Sequence, residues 1–427
     1  MRVLLLGSGG RESALAWALA RSASVTEIVA TPGNPGIGRV AALEAVDPTD
    51  VRAILQLARR VRPDLVVIGP EAPLVAGVGD ALKSEDVAVF GPDAGAALIE
   101  GSKSYAKELM ERAGVPTAAW RSFTSAPDAI AYLDEIGPPY VIKADGLAAG
   151  KGVAVTEDRS EAVAAVEERV VGRKFGDAGA RVVIEEYLDG EEASLIAFTD
   201  GRSLVACEPA QDYKRVFDED RGANTGGMGS YSPVPACPPE LARGIVEEVL
   251  MPMVRATSEV GAPFVGALYA GLALTSKGPK VVEFNARFGD PETQALLPRL
   301  ESDLGEVALA CARGDLEGAK LDWDERRCVS VVLASRGYPG SHGTGFVIAG
   351  EDAAEALGDV FVFHAGTAVH DGSLITNGGR VLAVSALGDG YAAARARAYE
   401  AASLIGFEGK HMRTDIAARA ERAEGEA

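Results

Sequence analysis

Residues Lys280–Arg287 read KVVEFNAR. In an extended strand side chains alternate between faces, so Glu283, Asn285 and Arg287 fall on one face and Val282 and Phe284 on the other. A carboxylate beside an amide oxygen is a pair of hard ligands suited to Mg²⁺ on phosphate oxygens. Arg287 adds a planar fork of donors for a carboxylate or a phosphoryl oxygen. The alternative is a half-exposed edge strand carrying a salt bridge. A second stretch, KADGLAAGKG (Lys143–Gly152), has the composition of a phosphate loop but not the spacing of a P-loop. Gly146 and Gly150 enclose three residues rather than four, and Gly152 stands where the Mg²⁺-binding hydroxyl belongs. A strand–loop–strand of this kind can fold over a triphosphate, with backbone amides and Lys151 facing the oxygens and Lys143 at the entry. A hairpin tip without a ligand is the other reading.

Three further stretches carry candidate chemistry. GSGGRE (Gly7–Glu12) resembles a dinucleotide fingerprint, but Glu12 occupies the place of a required glycine. A phosphate held by the Gly7–Gly10 amides and the following helix N-terminus, with Arg11 nearby, fits better than a nicotinamide cofactor; a plain glycine turn also remains. IEEYLDGEEAS (184–194) suits a hinge facing a flat base, with Glu191 and Glu192 as acids for ribose hydroxyls. QDYKR (211–215) and NTGGMGSYSP (224–233) suggest a loop wrapped around a small substrate, or a surface Ω-loop.

The rest of the composition narrows the class. The 427 residues carry 42 basic and 62 acidic side chains, a net charge of −20, which argues against a nucleic-acid or membrane-surface footprint. Hydrophobic residues make up 47% and charged residues 24%, the balance of a soluble globular protein. The four cysteines show no metal-type spacing and read as isolated thiols in a reducing cytosol. No apolar run reaches the ~18 residues of a membrane span. The opening MRVLLLGSGGRES is too short in its apolar core for a signal peptide. A cytoplasmic chain is expected. All four histidines lie after residue 340, so chemistry placed earlier uses neither a Ser-His triad nor an H-E-x-x-H site.

Strands, glycine loops and helices alternate over residues 1–101, which predicts a doubly wound parallel sheet with ligands beyond the carboxyl ends of its strands. GSGG, GPE (69–71) and GPD (91–93) all lie at such ends. The pattern then changes to a small α+β unit, about 116–193, inside a larger region 102–328. Within it, strands are expected at Tyr140–Ala144 and Gly152–Val155, and helices at Ala126–Ile136 and Ser160–Val170. Residues 329–427 read as a β-rich domain with strands including Phe346–Ile348, a helix at Tyr391–Leu404 and a frayed tail. The chain is therefore expected to be an α/β and α+β multidomain protein.

These motifs, in this order, resemble the ATP-grasp ligases, and the finer ones resemble the phosphoribosylamine–glycine ligase family (glycinamide ribonucleotide synthetases). GSGGRE, GPE-PL at 69–74, K-ADG-AAGKGV, QDYKR, NTGGMG-YSP and EFNARFGDPETQ carry the resemblance across nearly the full length. It implies an ATP-grasp core with a small lid subdomain, and ATP-dependent joining of glycine to 5-phosphoribosylamine through a glycyl phosphate. It implies ATP with Mg²⁺ (or Mn²⁺), small-molecule partners only, and a monomer. Carried over, Lys103, Lys143, Gly146, Gly150 and Lys151 would bind nucleotide phosphates, with Ala144–Gly152 as the lid loop. Glu185, Glu186 and Leu188 would form the adenine hinge and Glu192 would meet the ribose. Glu283 and Asn285 would hold the metal, and Arg287, Lys143 and Asp212 would act in catalysis. Gly9, Gly10, Arg11, Glu12, Pro70, Glu71, Asp212, Asn224, Thr225, Gly226, Gly227, Met228, Arg287, Asp290 and Pro291 would form the substrate pocket. The chain departs from the wider superfamily at YAGLALT (269–275), which offers no further carboxylate ligand. The rival readings are another ATP-grasp ligase acting on a purine ribotide and a non-catalytic nucleotide-binding regulator.

Overall fold

The computed structural model describes residues 1–148, 152–173 and 179–426. The apolar run RVLLL becomes the centre of a five-stranded parallel sheet in the order Ala42–Leu43, Glu27–Pro32, Arg2–Gly7, Leu65–Ile68, Val89–Phe90. Its inner residues Val3–Leu6 are fully buried, as parallel strands covered on both faces must be. The first helix is Gly10–Arg21, opening three residues earlier than the Ser13 start that the side-chain pattern marks. Glu12 explains the early start. It accepts from the Gly9 amide at 2.6 Å and so satisfies a donor at the head of the helix.

The small α+β unit is a four-stranded antiparallel sheet in the order Trp120–Phe123, Val182–Glu185, Tyr140–Ala144, Val153–Thr156, backed by the helices Ala126–Ile136 and Arg159–Val170. The glycine loop joins two adjacent antiparallel strands of it, as the sequence pattern suggests. Gly150 and Lys151 lie outside the described residues.

A central antiparallel sheet runs Leu204–Ala206, Glu191–Asp200, Val265–Thr275, Gly278–Asn285. The last pair carries a register shift between Gly271 and Leu272, where Gly271 faces Glu283 and Leu272 faces Val281. Val282 is the extra residue of this bulge, so the simple alternation expected for KVVEFNAR is interrupted before Glu283. The strand also ends at Asn285, which leaves Arg287 beyond it rather than on its face.

The final sheet contains Gln211–Asp212, Gly229–Ser232, Arg327–Ser335, Arg380–Gly388 and Val360–His364, with Lys410–His411 paired to Arg327–Ser335. Two strands of the polar run at 211–232 thus share a sheet with the C-terminal region. Residues Phe346–Ile348, expected as a strand, make only a single bridge, Val347 to Ile375. The tail, expected to fray, is a helix over Ala418–Glu426. Glu424 anchors it, accepting from Arg327 Nε at 3.0 Å and from the Tyr391 amide at 2.7 Å.

Candidate active site

Glu283 and Asn285 sit at the end of the central sheet facing a concentration of positive charge. Burial favours the protonated form of Glu283, but Lys214, Lys103, Lys143 and Arg287 outweigh it and hold the carboxyl below its usual range. Neither the Glu283 carboxylate nor the Asn285 amide hydrogen-bonds another described side chain, so both hard oxygens are available. No larger cluster of acidic, histidine or cysteine ligands forms among the described residues. A divalent cation held here would therefore take two protein side chains and complete its shell with phosphate oxygens and water, which is how Mg²⁺ is usually bound. The donors fit such an ion.

The bulge at Val282 has a second effect. Its carbonyl accepts from Lys143 Nζ at 3.1 Å, and the same ammonium reaches Glu185 Oε2 at 3.0 Å. One lysine from the small sheet thus links the strand of Glu283 to the hinge at Glu185. Lys107, which the motif reading missed, shares that carboxylate oxygen at 2.9 Å and donates to Thr117 Oγ1 at 2.7 Å. Burial pulls Lys107 down to about 8, against the attraction of Glu185. Glu185 Oε1 is buried with no partner among the described residues, an acceptor suited to a donor from a ligand.

Beside it, Glu186 pairs with Lys280 at 2.7 Å, its backbone amide held by the Ala119 carbonyl, and Leu188 is half-buried in the connection that follows. Glu192 is the second residue of the Glu191–Asp200 strand rather than part of a loop, and is ion-paired with Lys214. The entry to the glycine loop is fixed by Asp145, another residue missed. Its carboxylate accepts from the Ser104 amide at 2.6 Å, while its carbonyl accepts from the Lys103 amide at 2.9 Å. This ties the loop, with Gly146 next in the chain, to the head of the Lys103–Ala113 helix. Lys103 itself forms no ion pair with a described residue.

On the other side, Arg287 donates to Glu100 Oε1 at 2.7 Å and to Glu71 Oε2 at 3.3 Å. Burial raises Glu100, whereas Arg287 and Arg11 hold Glu71 low despite burial. Arg11 is itself buried, bonded to Glu12 at 2.5 Å and to the Phe288 carbonyl at 3.2 Å. A Cβ on Gly7 or Gly69 would run into the Glu12 side chain, so both glycines and Glu12 form one packed unit next to Pro70. This is why a glutamate stands where a dinucleotide loop needs glycine.

The NTGGMG run closes the pocket through its backbone. Asn224 ends a short strand, Thr225 Oγ1 accepts from the Gly227 amide at 3.0 Å, and the Met228 amide bonds the Tyr213 carbonyl at 2.8 Å. Gly227 has φ +105°, and a Cβ there would collide with the Pro291 ring. Ser230 Oγ donates to the Pro291 carbonyl at 2.7 Å. Asp212 is pushed up to about 7 by burial, with Lys214 opposing and Glu292 adding to the rise. Glu292 accepts from Tyr269 at 2.8 Å and Ser194 at 3.1 Å. Asp290 is held by Gln294 at 2.7 Å, by Arg380 at 3.1 Å and by the Arg11 amide at 3.4 Å. Glu292 was within a recognised motif and passed over. Arg380 carried no sequence signal, because only the final sheet brings it here.

The phosphoribosylglycinamide synthetase family matches in three consecutive pieces, its N domain over residues 1–100, its ATP-grasp (A) domain over 101–293 and its C domain over 328–419. The chain is 50% identical to the phosphoribosylamine–glycine ligase of Rhizobium meliloti over 99% of this chain and 100% of that one. It is also 50% identical to the ligase of that name from Pseudomonas aeruginosa, over 100% of each. The crystal structure of the Thermotoga maritima phosphoribosylamine–glycine ligase superposes with a TM-score of 0.85 at 35% identity, covering 97% of this chain and 100% of that one. A biotin carboxylase domain from Hydrogenobacter thermophilus shares the fold, with a TM-score of 0.74 at 17% identity over 96% of this chain and 91% of its own. The charged groove, the glycine loop and the three matched domains agree, and the chain belongs to the phosphoribosylglycinamide synthetase family.

Proposed function

We infer that the chain is an ATP-dependent carbon–nitrogen ligase that joins glycine to 5-phosphoribosylamine in purine biosynthesis, releasing ADP and phosphate. The observation that carries this reading is the bridge made by Lys143. Its ammonium touches both Glu185, whose second oxygen awaits a donor, and the Val282 carbonyl next to Glu283. A nucleotide laid along that line places its base at Glu185–Leu188, its ribose near Glu192 and its phosphates between Lys103, Lys143 and Glu283.

The reaction attaches the γ-phosphoryl group to the glycine carboxylate, and the amine of phosphoribosylamine then displaces phosphate from the carbonyl carbon. It needs no protein nucleophile. It needs two anions held together while their charge is offset, which is positioning and electrostatics. Lys103 and Lys143 bind the phosphates, and Arg287 faces the transferred group, its guanidinium oriented by Glu71 and Glu100. Asp212, which feels the opposing charges of Lys214 and Glu292, accepts a proton from the attacking amine. Magnesium or manganese, when bound to Glu283 and Asn285, offsets phosphate charge. Gly9–Glu12, Pro70, Glu71, Asn224–Met228, Asp290 and Pro291 enclose the amine and glycine. The reading includes domains at 1–101, 102–328 and 329–427, a cytoplasmic monomer and no nucleic-acid partner. No helix among the described residues is long and apolar enough to cross a membrane.

The test is ADP release by the purified chain with ATP, Mg²⁺ and freshly formed phosphoribosylamine, with and without glycine. ADP release that depends on glycine supports the reading; release indifferent to glycine defeats it.

A further inference from the structure

We propose that the C-terminal sheet completes the ribotide pocket, with Arg380 and Asn377 reading the 5′-phosphate of phosphoribosylamine; this deepens, and rests on, the ligase reading above. A cavity of about 490 Å³ opens where three parts of the chain meet. Ser8–Gly10 and Asn34 line it from the first sheet, Asp290 from the central region, and Thr367, Asn377 and Arg380 from the last.

The donors of Arg380 are only partly used. Among the described residues Nη1 makes all of its hydrogen bonds and ion pairs, to the Gly226 carbonyl at 2.5 Å, the Asp290 carbonyl at 2.9 Å and Asp290 Oδ1 at 3.1 Å. Nε and Nη2 have no protein acceptor among the described residues, although the side chain is only 21% exposed. A largely buried guanidinium with free donors lining a cavity is suited to a second anion, and a phosphate accepts its fork in bidentate fashion. The Asp290 carboxylate is offset by Arg11 as well as by Arg380 and accepts a hydrogen bond from Gln294, which reduces its repulsion of that anion. Its position over the first helix suits the ribose hydroxyls instead.

The opposite wall is the head of the Gly10–Arg21 helix, whose dipole favours negative charge, with Glu12 already accepting from the Gly9 amide and Asp290 from the Arg11 amide. Gly366 and Gly378 bring the two C-terminal segments together: a Cβ on Gly366 would lie 2.6 Å from the Gly378 Cα. That contact puts Thr367 and Asn377 on one rim. Thr367 Oγ1 is engaged by His364 Nδ1 at 3.0 Å, whereas the exposed side-chain amide of Asn377 has no hydrogen-bond partner among the described residues.

The test uses ribose 5-phosphate and ribose as inhibitors competing with phosphoribosylamine, on wild type, Arg380→Gln and Asn377→Asp. Wild type should bind ribose 5-phosphate far more tightly than ribose. Arg380→Gln should raise the KM for phosphoribosylamine about 10- to 100-fold, the range for a lost charged hydrogen bond, with ATP and glycine KM little changed. Asn377→Asp places a like charge at an exposed position without threatening the fold, and should weaken ribose 5-phosphate about tenfold or more while sparing ribose. If Arg380→Gln does not fold, Asn377→Asp decides the matter. An active variant that keeps the wild-type preference for ribose 5-phosphate, or loses ATP and phosphoribosylamine affinity equally, overturns the proposal. Wild type that releases no ADP with glycine and phosphoribosylamine would overturn the ligase reading, a separate result.

Discussion

Replacing Lys107 with methionine should stabilise the chain at neutral pH, although it removes half of a buried ion pair. Lys107 and Lys143 share one oxygen of Glu185, and all three side chains are at most 4% exposed. Burial is the largest influence on Lys107 and takes its pKa from 10.5 to about 8, with Lys143 adding to the fall and Glu185 opposing it. A fall of that size means the charged form costs about 3 kcal/mol on folding. Methionine keeps the volume, removes the charge and leaves Glu185 and Lys143 as a matched pair. It also gives up the bond to Thr117, worth about 1 kcal/mol. Thr117 Oγ1 still donates to the Val281 carbonyl at 2.6 Å, so no donor is stranded. The net expectation is a gain of about 2 kcal/mol near pH 7.

The pH dependence gives the sign a second check. Between about 8 and 10.5 the unfolded chain holds the Lys107 proton and the folded chain does not, so wild-type stability rises with pH through that window. The methionine variant lacks this rise, and its advantage should shrink as pH increases. Urea unfolding of both proteins from about pH 7 to about pH 10, comparing the first transition, measures the gap. A variant less stable than wild type near pH 7, or a gap that does not change with pH, would refute the reasoning.

Changing Glu283 to Gln together with Asn285 to Ala should cut turnover more than about a hundredfold while the melting temperature holds, as loss of a charge-offsetting site predicts; near-normal turnover at limiting Mg²⁺ would remove the metal assignment. Lys143→Ala should weaken nucleotide binding about 10- to 100-fold by calorimetry, because it deletes charged hydrogen bonds at both ends of the groove; unchanged affinity counts against the proposed nucleotide line. Arg287→Gln should lower both turnover and stability, the latter by about 3–5 kcal/mol, since Glu100 and Glu71 lose their shared partner; urea unfolding gives the figure. Gly227→Ala should cost about 1–3 kcal/mol and raise the KM for phosphoribosylamine, since its positive φ and the Pro291 ring leave no room for a methyl; a variant with wild-type melting and kinetics would show that the loop can yield.

The parts of the site legible from sequence were those where chemistry and local geometry are written in neighbouring residues. Glu283 beside Asn285, the lysine entering the glycine loop and the glycines of NTGGMG are of this kind. The parallel first sheet was legible for the same reason, since each buried strand is followed directly by its glycine loop. What escaped depends on distant partners. Lys107 looks like any helix lysine until Glu185, 78 residues on, is folded against it. The bulge at Val282 is set by pairing with Gly271 and Leu272, and the strand stops at Asn285, so alternation along the sequence shows neither the break before Glu283 nor the place of Arg287. The tail looked frayed because it is Ala-, Glu- and Arg-rich, yet Arg327 and Tyr391 give Glu424 a place to dock. Arg380 reaches Asp290 from 90 residues away.

The bonds between the first and last sheets also bear on synthesis. Asn34 donates to the His364 carbonyl at 2.8 Å, and the amide of that same His364 meets Ser13 Oγ at 3.1 Å, across 330 and 351 residues. A ribosome adding ~5–20 residues per second leaves the first sheet without this partner for roughly 15–70 seconds. Over that interval Gly7–Glu12 and Asn34 form an open, solvated edge on the nascent chain. The wall that carries Thr367 and Asn377 closes over it only when the last quarter of the polypeptide has emerged. Truncated chains ending before residue 360 are therefore open to capture by chaperones and proteases at that edge, and the pocket becomes complete only near the end of translation.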